Sequence, residues 1–328
     1  MIDIYFEPNY GKLYEKIENG TCEVFNYKCD LGNIHHVFIK RQIPFQVDDN
    51  IYFDIVTPYG YGGPLITNHQ EERKDQLLRE FKREFNDYCK KNNIISEFVR
   101  FHPMIDNFKD FKDVYEISLN RKTVGTNLSY FDDPFRSEFS KSCRKNIRKA
   151  LKEGVTYRVT EKPDDISAFK KIYYSTMDRN NATDYYYFDD NYFDNCTHFF
   201  KENLLLVEAI YEDQPIAMGL YFIYKNVIHI HLSGTLTKYL YLSPAYILRY
   251  AVTLWGKENG YEMIHHGGGR TNDINDTLYK FKKQFGKNTE FDFYIGKKIW
   301  DLNIYNRICA ENSIDSDIDY FPAYRSDL

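Results

Sequence analysis

The stretch HHGGGRTNDINDTLYKFKKQFG, residues 265–286, decides how the second half of this chain is read. It overlaps the end of YEMIHH (261–266), which reads as a strand. HGGGRTND then reads as a loop, NDTLYKFKKQFG as a capped helix stopped by Gly286, and EFDFYI (290–295) as a final strand. Within that helix Leu278, Phe281 and Phe285 recur at helical spacing and should face a core. Lys282 is left at the edge of that face, four residues after Leu278, where its stem can cross apolar surface toward the glycine run. Burial of that kind makes an ammonium chemically more useful than a surface one. The three consecutive glycines Gly267, Gly268 and Gly269, followed by Arg270, cost folding entropy. They mark either an ordinary turn or backbone N–H groups offered to a ligand.

Upstream, Ser243 and Pro244 form an N-cap and first-turn pair for a helix ending near Asn259 and Gly260. LLLVEAIY (204–211), IAMGLYFIY (216–224) and VIHIHLSG (227–234) read as strands, with a hairpin turn near Asp213 to Pro215. Residues 164–202 read as one or two helices carrying the insert DRNNATDYYYFDD, and VTYRVT (155–160) as a strand. The first half opens with CEVFNYKC (22–29), IHHVFIK (34–40) and NIYFDIV (50–56), an antiparallel meander. A helix follows over 70–91 with Leu77, Leu78, Phe81, Phe85, Tyr88 and Cys89 at helical spacing, then the strands IISEFVRF (94–101) and VYEISL (114–119). Both halves alternate strands and helices in a similar order. The expected fold is α+β: two tandem units, each a mixed, mostly antiparallel sheet flanked by helices, over 1–133 and 134–310, with 311–328 as an acidic surface tail.

The composition agrees with a folded two-domain chain. Of 328 residues, 43% are hydrophobic, with 30 Tyr and 25 Phe, which excludes disordered and low-complexity classes. The net charge of −5 excludes a globally basic nucleic-acid coat, so any anion site is local. Six cysteines without a C-x-x-C pair, and no signal peptide or run of about 20 apolar residues, point to a cytoplasmic protein with reduced thiols.

Several segments carry chemistry. HGGG resembles the oxyanion loop of lipase-like hydrolases, but no G-x-S-x-G nucleophile elbow accompanies it. His229 and His231 share one face of a strand near His265 and His266. Without an acidic ligand at informative spacing they read as core or interface histidines, so no metal is assigned. The helix within FRSEFSKSCRKNIRKALKEGV (135–155) has an apolar stripe of Phe139, Cys143, Ile147 and Leu151, a basic stripe through Arg144 and Arg148, and a second through Lys141, Lys145 and Lys149. Eight cations against two carboxylates give residues 136–158 a net charge of +6, read either as a solvated face or as a site for phosphate. YGYGGP (59–64), with Tyr59, Tyr61, Gly62 and Gly63, lies between a strand and a helix. There it is either a tight turn or a backbone cradle.

Taken in order, YGYGGPL, FVRFHPM (98–104), SKSCRKNIRKALKEGV, YYSTMDRNNATDYYYF (173–188), HLSGTLTKYLYLSPAYIL (231–248) and HHGGGRTNDINDTLYKFKKQFG resemble the Fem-type aminoacyltransferases, tandem members of the GNAT acyltransferase superfamily that build peptidoglycan bridges. The resemblance implies two GNAT-like units and an N-acyltransferase acting on an amine of a peptidoglycan or other cell-envelope precursor. Arg179 would hold precursor phosphate, Lys282 would act in the transfer centre, and Phe281 would shape it and exclude water. An aromatic residue of the family is replaced here by His231. No bound cofactor is implied. The co-substrate is aminoacyl-tRNA or acyl-CoA: the missing pyrophosphate loop of CoA users favours tRNA, and the acidic balance disfavours a broad RNA surface. Contact with a membrane would be peripheral, and no DNA is expected as a partner. The competing class is a non-catalytic carbohydrate- or nucleotide-binding protein on a degenerate GNAT core, which has no need of a desolvated lysine.

Overall fold

The computed structural model describes residues 2–316 and 318–326. Among them the strands are β1 (Gly20–Cys29), β2 (Gly32–Val47), β3 (Asn50–Val56), β4 (Leu65–His69), β5 (Ile94–Arg100), β6 (Glu116–Asn127), β7 (Thr156–Glu161), β8 (Leu204–Tyr211), β9 (Gln214–Tyr224), β10 (Val227–Thr235), β11 (Met263–Gly268) and β12 (Glu290–Ile299). The helices are α1 (Pro8–Lys12), α2 (Lys74–Lys91), α3 (Pro134–Glu138), α4 (Lys141–Lys152), α5 (Ser167–Arg179), α6 (Asp190–Phe200), α7 (Pro244–Glu258), α8 (Thr277–Lys283) and α9 (Leu302–Glu311).

The chain forms two compact units, Met1–Asn120 with Phe293–Leu328, and Arg121–Asp292. This corrects the linear division at 133/134. β12 pairs antiparallel with β5, from Ile295 opposite Arg100 to Ile299 opposite Ser96, and so returns the chain end to the first unit. Nor is the C-terminal segment a surface tail. Ala323 and Tyr324 are buried, Tyr324 hydroxyl meets Ser96 Oγ at 2.6 Å, and Arg325 Nε donates to Asp54 at 2.5 Å. Aromatic residues set among the acidic ones provide the apolar surface that folds the segment back.

In the first unit β1, β2 and β3 pair antiparallel, β4 lies on β2, and β5 runs parallel to β3. Parallel neighbours require a crossover, which α2 supplies; it buries Leu77, Phe81, Phe85 and Cys89, one i, i+4 stripe. The second unit repeats the plan. β7, β8, β9 and β10 form an antiparallel meander, α7 crosses over, and β11 lies parallel to β10 and antiparallel to β6. The tandem α+β architecture is thus present, each unit a meander, a crossover helix, a parallel strand and an antiparallel closing strand. The β8–β9 hairpin turns on Glu212 and Asp213, both at positive φ, as a two-residue connection compatible with right-handed strand twist requires.

Side chains cap helices α4 and α8 of the second unit. Ser140 Oγ accepts from Cys143 N at the start of α4, and Asp276 accepts from Tyr279 N at the start of α8. Ser243 departs from expectation: it lies in the left-handed region and its side chain makes no capping bond, so Pro244 alone marks that helix start. No described helix is long and apolar enough to cross a membrane.

Candidate active site

β10 and β11 share only three paired positions, Val227–Met263, Ile228–Ile264 and His229–His265. Beyond them β10 slips register against β9 between His229 and Leu232, and β11 slips against β6 between His265 and Gly267. The two parallel strands therefore lose their ladder toward their carboxyl ends, next to the crossover helix α7. In open α/β sheets ligands enter at such a point. The second unit places there His231 to Thr235 from one strand and His266 to Gly268 from the other.

Lys282, on α8, is directed at this point. It is half-buried, and Nζ donates to the Gly268 carbonyl at 2.7 Å. No described carboxylate lies within ion-pairing distance of it. Burial, then the charge of Arg249, lowers its pKa from 10.5 to about 7, with Arg121 adding to the effect and Asp276 opposing it. Phe281 lies beside it, edge-on to Tyr246 at 5.3 Å and to Phe285 at 5.1 Å. Lys283 faces elsewhere and pairs with Glu290 at 2.9 Å.

The glycine run differs from the expected loop. β11 continues through Gly268, and Gly267 takes the positive φ of 75° where the ladder slips. Arg121 Nη1 donates to the carbonyls of Gly269 and Arg270 at 2.8 and 2.7 Å, while Asp276 accepts from the amides of Arg270 and Thr271. The carbonyls of 268–270 thus face cations, and the amides of 270 and 271 are already used. A Cβ at Gly268 would come within 2.9 Å of the Lys122 carbonyl oxygen, so Gly268→Val disturbs the fold rather than ligand binding alone.

The end of α8 is fixed by an unusually close approach. A Cβ on Gly286 would overlap the Gly125 carbonyl oxygen and lie 2.7 Å from Val124 Cγ1. Gly286→Ala should therefore force β6 and α8 apart and lower stability by about 3 kcal/mol. Urea denaturation checks this, and an unchanged midpoint would show that the contact relaxes freely.

The other sequence-selected residues divide into two groups. Arg179, on α5, donates through Nη1 to Thr235 O at 2.6 Å, which places it at the carboxyl end of β10. His231 meets Tyr192 hydroxyl at 2.6 Å, and burial drives its pKa down to about 3, so it is a neutral hydrogen-bonding ring. Arg144 bonds the carbonyls of Phe139 and Arg136, closing the turn before α4, while the exposed Arg148 lies over the Phe135 ring. Tyr59, Tyr61, Gly62 and Gly63 belong to the first unit. There Gly62 N donates to Arg100 O, Tyr59 O accepts from Tyr10, and Tyr61 packs edge-on against Tyr5 and Phe293. A Cβ on Gly63, at φ 85°, would meet Val99 at 2.7 Å. The Gly62 amide is consumed by the strand, which is the behaviour of a packed turn.

Three residues near Lys282 escaped the sequence reading: Arg121, Arg249 and Asp276. A signal existed for Arg249, the single cation inside the apolar run AYILRYAV. The histidines are held mainly by hydroxyl groups, His265 by Thr123 at 3.0 Å and His266 by Thr126 at 2.8 Å. Among the described residues no cluster of three or more His, Cys, Asp or Glu is arranged to hold a metal ion.

Comparison with known proteins places the fold. Residues 137–283, inside the second unit, match the acetyltransferase (GNAT) domain family. Over 93% of its length the chain is similar to the crystal structure of FemX, with 94% of that chain covered, TM-score 0.68 and 12% identity. It is also similar to L-PGS from Bacillus licheniformis (TM-score 0.56, 14% identity, 93% of this chain and 96% of that one). A C-terminal domain attributed to a lysylphosphatidylglycerol synthetase of Agrobacterium fabrum gives TM-score 0.57 at 12% identity, over 94% and 93% of the two chains. No curated protein sequence matches the chain. The fold is that of the GNAT acyltransferases, in the tandem form of the Fem type.

Proposed function

We propose that the second unit catalyses N-acyl transfer, moving an aminoacyl or acyl group from aminoacyl-tRNA or acyl-CoA onto an amine of a cytoplasmic cell-envelope precursor. The observation that carries this reading is Lys282, a lysine without a carboxylate partner, held on the Gly268 carbonyl where two parallel strands part. The amine attacks the activated carbonyl, and the tetrahedral intermediate must lose a proton from nitrogen before the ester or thioester bond breaks. With a pKa of about 7, Lys282 is substantially neutral at physiological pH. One N–H stays on the Gly268 carbonyl while its lone pair takes the proton, and the leaving oxygen or sulfur can receive it back. Phe281, packed edge-on against Tyr246, would shape the acyl site and keep water from the donor, disfavouring its hydrolysis.

The peptidoglycan-type acceptor rests on the likeness to FemX. A phospholipid headgroup is the second reading, favoured by the likeness to a domain whose name gives a lipid product. Thermal unfolding in the presence of coenzyme A, charged tRNA, nucleotide-linked sugars and anionic lipid vesicles separates the choices. The reading expects a stabilising donor, tRNA or CoA, and a stabilising acceptor of envelope chemistry. Stabilisation by nucleotide-linked sugar alone, without either donor, would favour a binding protein. If Arg179 and the α4 face hold substrate phosphates, affinity should fall steeply with added salt, because such contacts are screened within about 10 Å at 0.1 M. A flat affinity would remove them from the binding surface.

A further inference from the structure

α7 buries Ile247, Leu248, Ala251 and Val252, and with them Arg249, which is 5% exposed. An arginine so deeply placed usually carries a carboxylate, because an uncompensated buried charge costs several kcal/mol. Here no described carboxylate comes within ion-pairing range. Nη1 donates to Tyr221 hydroxyl at 2.5 Å, the guanidinium lies 5.5 Å from the Tyr221 ring, and Nε has no partner. Its charge acts on Lys282 and His266, so the neighbourhood is positive. The one opposing charge felt by Lys282, Asp276, is already spent as a helix cap.

His266 adds an independent observation. Thr126 Oγ1 has one hydrogen, which it gives to Phe285 O at 2.7 Å, so toward His266 at 2.8 Å it must accept. His266 Nε2 therefore carries the proton. Burial holds the ring neutral, which leaves Nδ1 as a lone pair, itself buried and without a partner. A donor edge on Arg249 and an acceptor on His266 are thus both unfilled on groups that share Lys282 as a neighbour.

We propose that Arg249 anchors a small anion-binding subsite adjoining Lys282, which takes a two-oxygen anionic group, carboxylate or phosphoryl, of the substrate. With Nη1 occupied by Tyr221, the Nε and Nη2 hydrogens form the fork that matches two oxygens, a geometry lysine cannot reproduce. His266 Nδ1 receives an N–H or O–H next to that anionic group. What the anion is attached to rests on the acyl-transfer reading; anion binding itself does not, and its test needs no donor.

The test is thermal unfolding of the full chain in sodium acetate, sodium phosphate or sodium chloride at equal ionic strength, for the wild type and Arg249→Gln. The wild type should gain roughly 2–4 °C over chloride in acetate or in phosphate, as a ligand bound only by the folded state gives. A gain in acetate alone identifies a carboxylate site, and a gain in phosphate alone a phosphoryl site. Arg249→Gln should lose the gain and, in chloride, melt no lower than the wild type, because a buried uncompensated charge has gone. Equal melting of the wild type in all three salts overturns the proposal, as does the same gain in Arg249→Gln. A variant that melts lower in chloride yet keeps the gain assigns Arg249 to packing on Tyr221 and also overturns it. If Arg249→Gln does not fold, the wild-type titration decides alone, through a saturable gain or none.

Discussion

Lys282→Ala should lower single-turnover acyl transfer by about two orders of magnitude or more, the scale on which loss of a positioned proton-transfer group or charge acts. The fold should survive, since the side chain makes one hydrogen bond, to the Gly268 carbonyl, and no ion pair. Stability should even rise below neutral pH. The lysine's pKa falls from 10.5 to about 7 on folding, so the unfolded chain binds the extra proton between those values. The penalty for burying the ammonium is complete below pH about 7 and fades as pH climbs toward 10.5. Lys282→Met, which keeps the apolar stem, should therefore melt higher than the wild type at pH 6 and converge with it near pH 10. Lys283→Ala is the control. It removes an ion pair to Glu290 on a half-exposed side chain, worth at most about 1 kcal/mol, and should leave turnover within a few-fold of the wild type. Equal losses in the two alanine variants would remove Lys282 from the chemistry.

The second large effect is in the pH dependence. If the neutral amine of Lys282 accepts the proton, the ratio of wild-type to Lys282→Ala rates should rise about tenfold per pH unit up to about 7 and then level off. Taking the ratio cancels the acceptor amine's own ionisation, which is common to both proteins. The opposite profile, a ratio highest in acid and falling through 7, would mean that the ammonium acts, as a stabiliser of the oxyanion. The cause of the lowered pKa is testable within the same assay. Arg121→Gln removes one of the charges that depress it, so the break should move upward, toward the ordinary lysine value.

Much of this fold could be read from periodicity. The stripe Leu77, Phe81, Phe85 and Cys89 buries as a unit, and of the stripe Phe139, Cys143, Ile147 and Leu151 the first three are buried and Leu151 is partly so, because helical spacing and burial are the same fact seen twice. The β8–β9 hairpin followed from its turn residues. What local pattern could not supply was pairing between distant segments. That β12 returns to β5, and that Tyr324 buries against Ser96, depends on contacts across some two hundred residues. The candidate site was half legible. The glycines and Lys282 stand together in sequence, and the structure joins them through the Gly268 carbonyl. The direction of the backbone was not legible: three glycines suggested exposed amides, whereas the strand presents carbonyls to Lys282 and Arg121. Arg249 lay hidden because an isolated cation in an apolar helix reads as an exposed position until the packing shows otherwise. YGYGGP had two readings of similar weight, and the fate of the Gly62 amide favours the packed turn.

The chemistry proposed for this chain is acyl transfer at Lys282. Its most direct measurement mixes excess protein with an amine acceptor of envelope type and one labelled donor at a time, aminoacyl-tRNA or acyl-CoA, and follows amide product by mass spectrometry within a single turnover. An amide is expected from at least one donor with the wild type and with Lys283→Ala, and about a hundredfold less with Lys282→Ala. An amide formed as fast by Lys282→Ala, or donor and acceptor bound together with no amide from any combination, would contradict it.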